Sequence, residues 1–309
     1  MKVVQISILA KISGNVNADE VIGTRITLKK MYSSQGEVLP FVSARAIKYA
    51  IRQGLKEKGY EIDPFIENPE AVEALRLADS GRPDKYIDND LFGYMVTKGR
   101  GEVARKRQAP IAFSYFKALR DTPIKAEFAA RFPRSVEKGA APVPFEVEVA
   151  EFVGRLNCLI YDYIGDFTED KKQLKKENSE LNIPDKLNND ERKNRLKSFL
   201  EVLLIPSYVL PRRSNSLNIP EYIVALIVLS DKGPLPIYQY LDYDFESNRV
   251  KQEKLELMSN RNEFKNIQML FIDYENSGVQ LPINIKKVTV IEAIEEIINS
   301  LIGEETKTK

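Results

Sequence analysis

The sequence predicts an α+β fold, and three observations carry the prediction. Val4, Ile6, Ile8, Ala10 and Ile12 alternate with Val3, Gln5, Ser7, Leu9 and Lys11, a period of two that marks a strand with one firmly apolar face. Ala44, Ile47, Ile51 and Leu55 recur at three- and four-residue spacing, which marks a helix with one buried face. Tyr222 to Leu229 is an unbroken apolar run, as expected of a central strand covered on both faces. The chain has 309 residues and is 43% hydrophobic, enough for one elaborated domain or a core with a subsidiary lobe.

The elements follow in order. After the first strand Ser13, Gly14, Asn15 and Asn17 break the alternation, and Asp19 to Lys30 runs as a loop or ribbon. Pro40 precedes the first helix, and Ser43 is well placed as its N-cap. Asn68 and Pro69 suit the cap and first position of a short helix reaching Ala78, ended by Ser80, Gly81, Arg82 and Pro83. Asp84 to Gly139 reads as an irregular lobe. Phe145, Val147 and Val149, then Phe152 to Ile164, read as one or two strands, with Gly154 as a bulge. Asp166 to Asn189 is charged and lysine-rich, and suits a flexible excursion or a solvated helical linker. A second helix begins near Asp190, with Leu196, Phe199, Leu200, Leu203 and Leu204 on one face and Pro206 closing it. Ile267 to Tyr274 reads as a strand. Thr289 to Ile302 reads as an amphipathic helix with Thr289 and Glu292 at capping-box spacing. The chain divides accordingly into residues 1–60 (first strand, loop and helix), 61–144 (an inserted lobe with a basic hairpin) and 145–309 (the remaining core, with the charged insertion 166–189 and the last helix).

Forty-six Lys and Arg against forty-five Asp and Glu leave a formal charge of +1, so any surface for a polyanion must be local. One stretch supplies it: between Gly23 and Lys58 stand Arg25, Lys29, Lys30, Arg45, Lys48, Arg52, Lys56 and Lys58, opposed only by Glu37 and Glu57. From Asp162 to Glu191 the balance reverses. No histidine occurs, which removes Ser-His-Asp and Cys-His systems and imidazole zinc sites. Cys158 stands alone in an apolar run, as a buried thiol of a reducing compartment would. No apolar stretch approaches the ~20 residues that cross a bilayer. A soluble, untargeted, cytoplasmic protein without membrane contact is expected.

Arg45, Lys48 and Arg52 share a second face of the first helix. Its start offers an anion unpaired N–H groups and the positive end of the dipole. Three bases in a stripe also suit a plain solvated surface; Arg25, Lys29 and Lys30 in the preceding loop add to the first reading. The run KGRGEVARKR, with Arg100, Arg105, Lys106 and Arg107, suits a mobile basic hairpin tip or a surface loop. Phe113, Tyr115 and Phe116 nearby could stack bases or sit in the core. Arg212 and Arg213, with Ser214 and Asn215, precede the central strand and suit an anion site at a sheet edge. No P-loop or dinucleotide fingerprint is present. Asp84, Asp88 and Asp90 lack the glycine and glutamate of a calcium loop and read as a surface acidic cluster. Asp19 and Glu20 could hold a magnesium ion that activates water against a phosphodiester, or be simply solvated. This inventory suits gripping a nucleic-acid backbone more than catalysis.

The order N-A-D-E-V-I-G-T-R-I-T-L-K-K-M, then L-P-F-V-S-A-R-A-I-K-Y-A-I-R, D-N-D-L-F-G-Y-M and R-Q-A-P-I-A-F-S resembles the DevR family of CRISPR-associated proteins. These are the "Cas seven" backbone subunits of type I Cascade complexes, in the RAMP superfamily, with type I-B the nearest. The resemblance is specific to about Phe116, continues in element order to Leu229 and thins beyond. It implies a modified RRM or ferredoxin-like core with inserted lobes, hand-like with a thumb, and copies stacked head to tail along a guide RNA. Implied partners are the guide RNA, the DNA strand paired to it, copies of the chain itself, and subunits of the Cas five, Cas eight and Cas six types, with no cofactor or metal. Implied RNA contacts are Arg25, Lys29, Lys30, Ser43, Arg45, Lys48, Arg52, Arg100, Arg105, Lys106, Arg107, Arg212, Arg213 and Asn215.

Departures from the pattern sharpen what it implies. The first strand and the Phe145 strand lack the aromatic signature of an ordinary RRM, so backbone tracking is expected in place of bases stacked on the sheet. Related type III subunits cleave target RNA with an aspartate beside the isoleucine-glycine of the first loop. Here that place reads Ile22, Gly23, Thr24, Arg25, Ile26, which implies a non-catalytic subunit, a metal-dependent endoribonuclease using Asp19 or Glu20 being the alternative. The usual glycine-rich loop before the last core strand is replaced by Pro211, Arg212, Arg213, Ser214 and Asn215.

Overall fold

A computed structural model of the chain describes residues 1–15, 18–64, 66–67, 77–97, 103–132, 141–176, 181–206, 208–210 and 218–303. The predicted first strand is β1 (Val3–Gly14). The ribbon after it is a hairpin of β2 (Ala18–Ile22) and β3 (Arg25–Leu28), turned at Gly23, whose φ of 62° favours glycine. Next come β4 (Lys30–Tyr32), β5 (Val38–Val42) and α1 (Ala44–Glu57). As the spacing predicts, α1 buries Ala46, Ile47, Ala50, Ile51 and Leu55.

The helix expected to reach Ala78 is not what the described residues show. Residues 68–76 lie outside them, and Leu77–Ala78 is a strand, β7, paired with β6 (Ile66–Glu67). Then follow α2 (Ile87–Phe92) and a hairpin of β8 (Tyr94–Thr97) and β9 (Val103–Arg107). β10 (Ile111–Phe113), β11 (Phe116–Ala118) and β12 (Lys125–Arg131) all hydrogen bond to β13 (Val143–Tyr161). The 61–144 stretch therefore supplies strands to the main sheet as well as an inserted lobe.

β13 is one strand of 19 residues, not two, and Gly154 is not a bulge. Its register against β1 runs on unbroken through Ala10↔Gly154. A Cβ at Gly154 would lie 3.1 Å from Phe116 Cδ2 and 3.2 Å from the Lys117 carbonyl oxygen, so glycine is there for close approach. The irregularity falls instead where β1 pairs with the later strand Glu221–Ser230: the register steps from Leu9↔Val224 to Ala10↔Tyr222, which leaves Ile223 of that strand as the extra residue.

The described parts of the 166–189 insertion, residues 166–176 and 181–189, pack against the fold. They hold α3 (Thr168–Lys176), and Phe167, Leu174 and Ile183 form a small apolar cluster. The remaining elements are α4 (Asn189–Leu204), β14 (Glu221–Ser230), the short pair β15 (Tyr243–Asp244) and β16 (Arg249–Val250), α5 (Gln252–Ser259), β17 (Gln268–Asp273), β18 (Ile285–Lys287) and α6 (Val290–Ile302). α6 carries the predicted capping box between Thr289 and Glu292.

Twelve of the described strands form one mixed sheet whose main path runs β18-β17-β14-β1-β13-β11-β5-β4, while β6–β7, β8–β9 and β15–β16 are separate pairs. One face packs against α1, α4 and α6 through Ile6, Ile8, Leu156, Cys158, Ala225 and Ile227. The opposite face of β14 and β17 packs against residues 235–264 through Val224, Leu226, Met269 and Phe271. Layers on both sides explain why β14 is apolar without alternation and why Gln5 and Ser7 are buried in β1. Each has a partner: Gln5 donates to Leu235 O and Ser7 to Asn157 Oδ1.

Candidate nucleic-acid interface

The start of α1 is built as its sequence predicts. Ser43 Oγ accepts from the Ala46 N–H at 3.3 Å, which caps one orphan donor and leaves the dipole end open to an anion. Arg45, the second residue of the helix, is exposed. The next two cations of the stripe lie over the ring of Phe92 on α2, Lys48 Nζ 5.4 Å and the Arg52 guanidinium 5.2 Å from its centroid. Arg52 is also paired to buried Asp88, Nε to Oδ2 2.9 Å. Lys48 has no carboxylate partner among the described residues. Burial, and then the neighbouring Arg52, lower its pKa. A half-buried ammonium held by a ring and repelled by a guanidinium is short of negative charge.

The loop cations are nearby in the chain but differently placed. The Phe41 N–H donates to the Lys29 carbonyl at 3.0 Å, which brings β3 and β4 against the entry to α1. Lys30 pairs with Glu148 Oε2 on β13 at 2.9 Å, and the Leu28 N–H donates to the same oxygen. Burial pushes the Glu148 carboxyl up, yet those two donors outweigh it and hold its pKa below the usual range. Arg25 forms a two-pronged pair with Glu146 at 2.6 Å, both side chains about half exposed.

Two expected RNA contacts are corrected by burial. Arg107 donates to Asp90 Oδ1 at 2.8 Å and to Asp170 Oδ2 at 2.7 Å, with only 4% of its side chain exposed. Arg105, also buried, donates to the Ser80 carbonyl. Their guanidiniums are committed to the interior and present no charge to a phosphate. Lys106, between them, is exposed. The acids they meet correct another expectation: Asp88 and Asp90 are 1% and 0% exposed, so they are no surface cluster. Asp90 further accepts from Arg195 Nη1 and the Gly165 N–H. This network ties α2, β9, α3 and α4 together, and through Asp88 it reaches α1.

Arg100, Arg212, Arg213 and Asn215 lie outside the described residues, as does the side chain of Asp19. Glu20 is exposed. Among the described residues no group of three His, Cys, Asp or Glu side chains could hold a metal ion, and no helix is long and apolar enough to cross a membrane. Of the candidate stacking aromatics, Phe116 is core, Phe113 packs on Phe92 and Phe199, and Tyr115 is exposed. Cys158 is fully buried, and burial pushes its thiol pKa up. Sequence reasoning missed Lys117 and Arg155, which stand side by side on β11 and β13. The signal was the polar alternation Glu151, Arg155, Asn157 within β13.

Comparison with known proteins adds three findings. Residues 12–210 match the family described as CRISPR-associated negative auto-regulator DevR/Csa2. Among solved structures, a chain of a "CRISPR RNA-guided surveillance complex" aligns over 96% of this chain and 99% of its own, with a TM-score of 0.59 and 11% identity. A chain of a "CRISPR RNA-guided surveillance complex, pre-nicking" aligns over 97% and 100%, with a TM-score of 0.58 and 10% identity. No curated protein matches. At such identities the structural likeness establishes the fold. The family match spans more than half of the sequence, and the chain belongs to the DevR/Csa2 family of CRISPR-associated proteins.

Proposed function

We infer that this chain is a guide-RNA-binding backbone subunit of a Cascade-type surveillance complex, acting in the cytoplasm and repeated along the RNA. The observation that carries the reading is the open, capped start of α1 with exposed Arg45 and the carboxylate-free ammonium of Lys48. A phosphate there would meet backbone N–H groups and two cations at once. Family membership and structural neighbours named as RNA-guided complexes support it. The strand order β14-β1-β13-β11, with α1 and α4 on one face, supports a modified ferredoxin-like core. In this reading the protein supplies shape and charge, while base pairing of the guide reads the DNA target. Other Cascade subunits, with type I-B as the nearest class, complete the assembly.

The purified protein should carry RNA whose sequence contains CRISPR repeats and spacers. A preparation freed of nucleic acid at high salt should rebind guide RNA at low salt, with affinity falling steeply as salt rises. Failure of rebinding overturns the reading. We further propose that the subunit is not a nuclease. Labelled RNA incubated with magnesium should stay intact, and cleavage abolished by Asp19→Ala or Glu20→Ala would establish the endoribonuclease instead.

A further inference from the structure

On the face of the sheet opposite α1 and α4, the cover that the described residues supply stops part-way. Residues 235–264 pack over β17, β14 and Leu9 of β1, and Leu119 and Val153 are packed at the margin of that layer. Beyond the margin three strands carry a row of side chains in register. Arg155 of β13 stands opposite Lys117 of β11, and Lys117 stands opposite Phe41 of β5. Directly opposed residues share a face, so all three lie on the side of the sheet opposite α1 and α4, with Arg155, opposite Leu9, at the edge of the cover. Tyr115, two residues before Lys117, stacks on Phe41 with ring centroids 4.9 Å apart and planes 28° from parallel. Tyr115 is 52% exposed.

The cations here are poorly matched by protein. Arg155 makes one hydrogen bond, Nη1 to the Leu241 carbonyl at 2.8 Å. Burial strips water from its guanidinium and lowers its pKa, outweighing the opposing pull of Asp242. Asp242 is itself engaged by Lys251 and Lys254. Among the described residues neither Arg155 nor Lys117 forms an ion pair. A partly desolvated cation without an anion carries an uncompensated cost that a phosphate would relieve. The neighbouring cleft of about 420 Å³ is different: Asp121 and Glu151 line it beside Arg120 and Lys11, so its charge is balanced and it limits the surface on that side.

We propose that this corner of the sheet is a second RNA contact, binding a single-stranded segment with one base stacked on Tyr115 and the adjoining phosphate on Lys117 and Arg155. The proposal rests on the RNA-binding reading above and sharpens it. Bases are not excluded from the sheet by the missing aromatics of β1 and β13, because Phe41 of β5 and Tyr115, just ahead of β11, supply them. The chemistry is sequence-tolerant, since every base has a π face.

The test uses the full chain and a single-stranded RNA carrying 2-aminopurine at successive positions, whose fluorescence is quenched by stacking. The wild type should quench a subset of positions. Tyr115→Ala should lose that quenching and weaken binding about tenfold, Tyr115→Phe should keep both, and Lys117→Ala should weaken binding without abolishing the quench. Tyr115 is exposed, so its replacement leaves the core intact. If Tyr115→Ala binds and quenches like the wild type while Arg45→Glu loses affinity, the sheet contact is overturned and the α1 groove stands. If the wild type binds no RNA, both readings fall together.

Discussion

Two basic stretches that look alike in sequence meet opposite fates. On α1, Arg45 is exposed and Lys48 lies on Phe92 without an acid. On β9, Arg107 is sealed between Asp90 and Asp170. Each run offers cations at close spacing, and neither local propensity nor charge count separates them. The difference lies in what the rest of the fold brings to meet them. α2 turns Asp90 and α3 turns Asp170 toward β9, whereas the same α2 presents a ring to the α1 stripe and reserves Asp88 for Arg52. A ligand-binding cation is marked by charge left unmatched, not by the number of bases around it.

The largest expected effect breaks the β9 side of this comparison. Arg107→Ala removes the counter-ion that Asp90 and Asp170 share, leaving Asp90 with Arg195 alone and buried Asp170 with no cation paired to it among the described residues, a loss of about 3–5 kcal/mol. Urea denaturation should show it, while the RNA affinity of the remaining folded protein stays near the wild-type value. A variant that unfolds like the wild type but loses RNA would place Arg107 back among the ligand contacts.

Next in size is Gly154→Ala. The added methyl meets Phe116, Phe152 and the Lys117 carbonyl within 3.1–3.2 Å, and overpacking of this kind costs about 1–3 kcal/mol. Because Lys117 and Arg155 flank this contact, the variant should also disturb the sheet surface and leave the α1 groove unaffected. A thermal melt and the 2-aminopurine signal together check it.

How much of this could be read in advance differs by region for physical reasons. Strand β1, helix α1 with its Ser43 cap, strand β14 and the α6 capping box follow from periodicity and caps, which are local properties. The 166–189 segment could not, because its few apolar residues, Phe167, Leu174 and Ile183, give little local pattern, and Asp170 of α3 is taken up by Arg107, which is distant in sequence. Asp88 and Asp90 read as solvated for the same reason: their arginines come from α1, β9 and α4. In the candidate site, Ser43 and the exposed Arg45 were legible from the helix pattern. The half-burial of Lys48 by Phe92 was not, nor was the pairing of Arg155 with Lys117, which depends on a long-range register.

The α1 side of the comparison sharpens through pH. The folded pKa of Lys48 lies below its ordinary value of 10.5, so between the two the unfolded chain holds more protons and stability rises with pH. A bound phosphate favours the ammonium, so RNA affinity should move the other way and fall a few-fold as pH rises through the folded pKa. Lys48→Arg should flatten that fall, because a guanidinium does not titrate there. Lys48→Glu should weaken binding on every RNA sequence about equally and reduce the salt slope by about one. Affinity measured by fluorescence anisotropy across pH and salt separates these outcomes.

The smallest effect comes from Arg25, the cation at the turn of the β2–β3 hairpin. Its pair with Glu146 is well aligned but solvent-exposed, at 48% and 40%, and exposed pairs contribute about 0–1 kcal/mol. Arg25→Ala should therefore shift the melting temperature barely at all. Glu148 is the stronger pin of this arm, since it accepts from both Lys30 and the Leu28 N–H. Its pKa is depressed, so its contribution is present above the ordinary carboxylate value and is lost as pH falls through the folded one. If Arg25 instead grips the guide, Arg25→Ala lowers RNA affinity while leaving the melt unchanged, and Glu146→Gln, which frees the guanidinium, raises it. Equal RNA affinity in all three proteins would assign Arg25 to the hairpin alone and leave α1 as the primary grip.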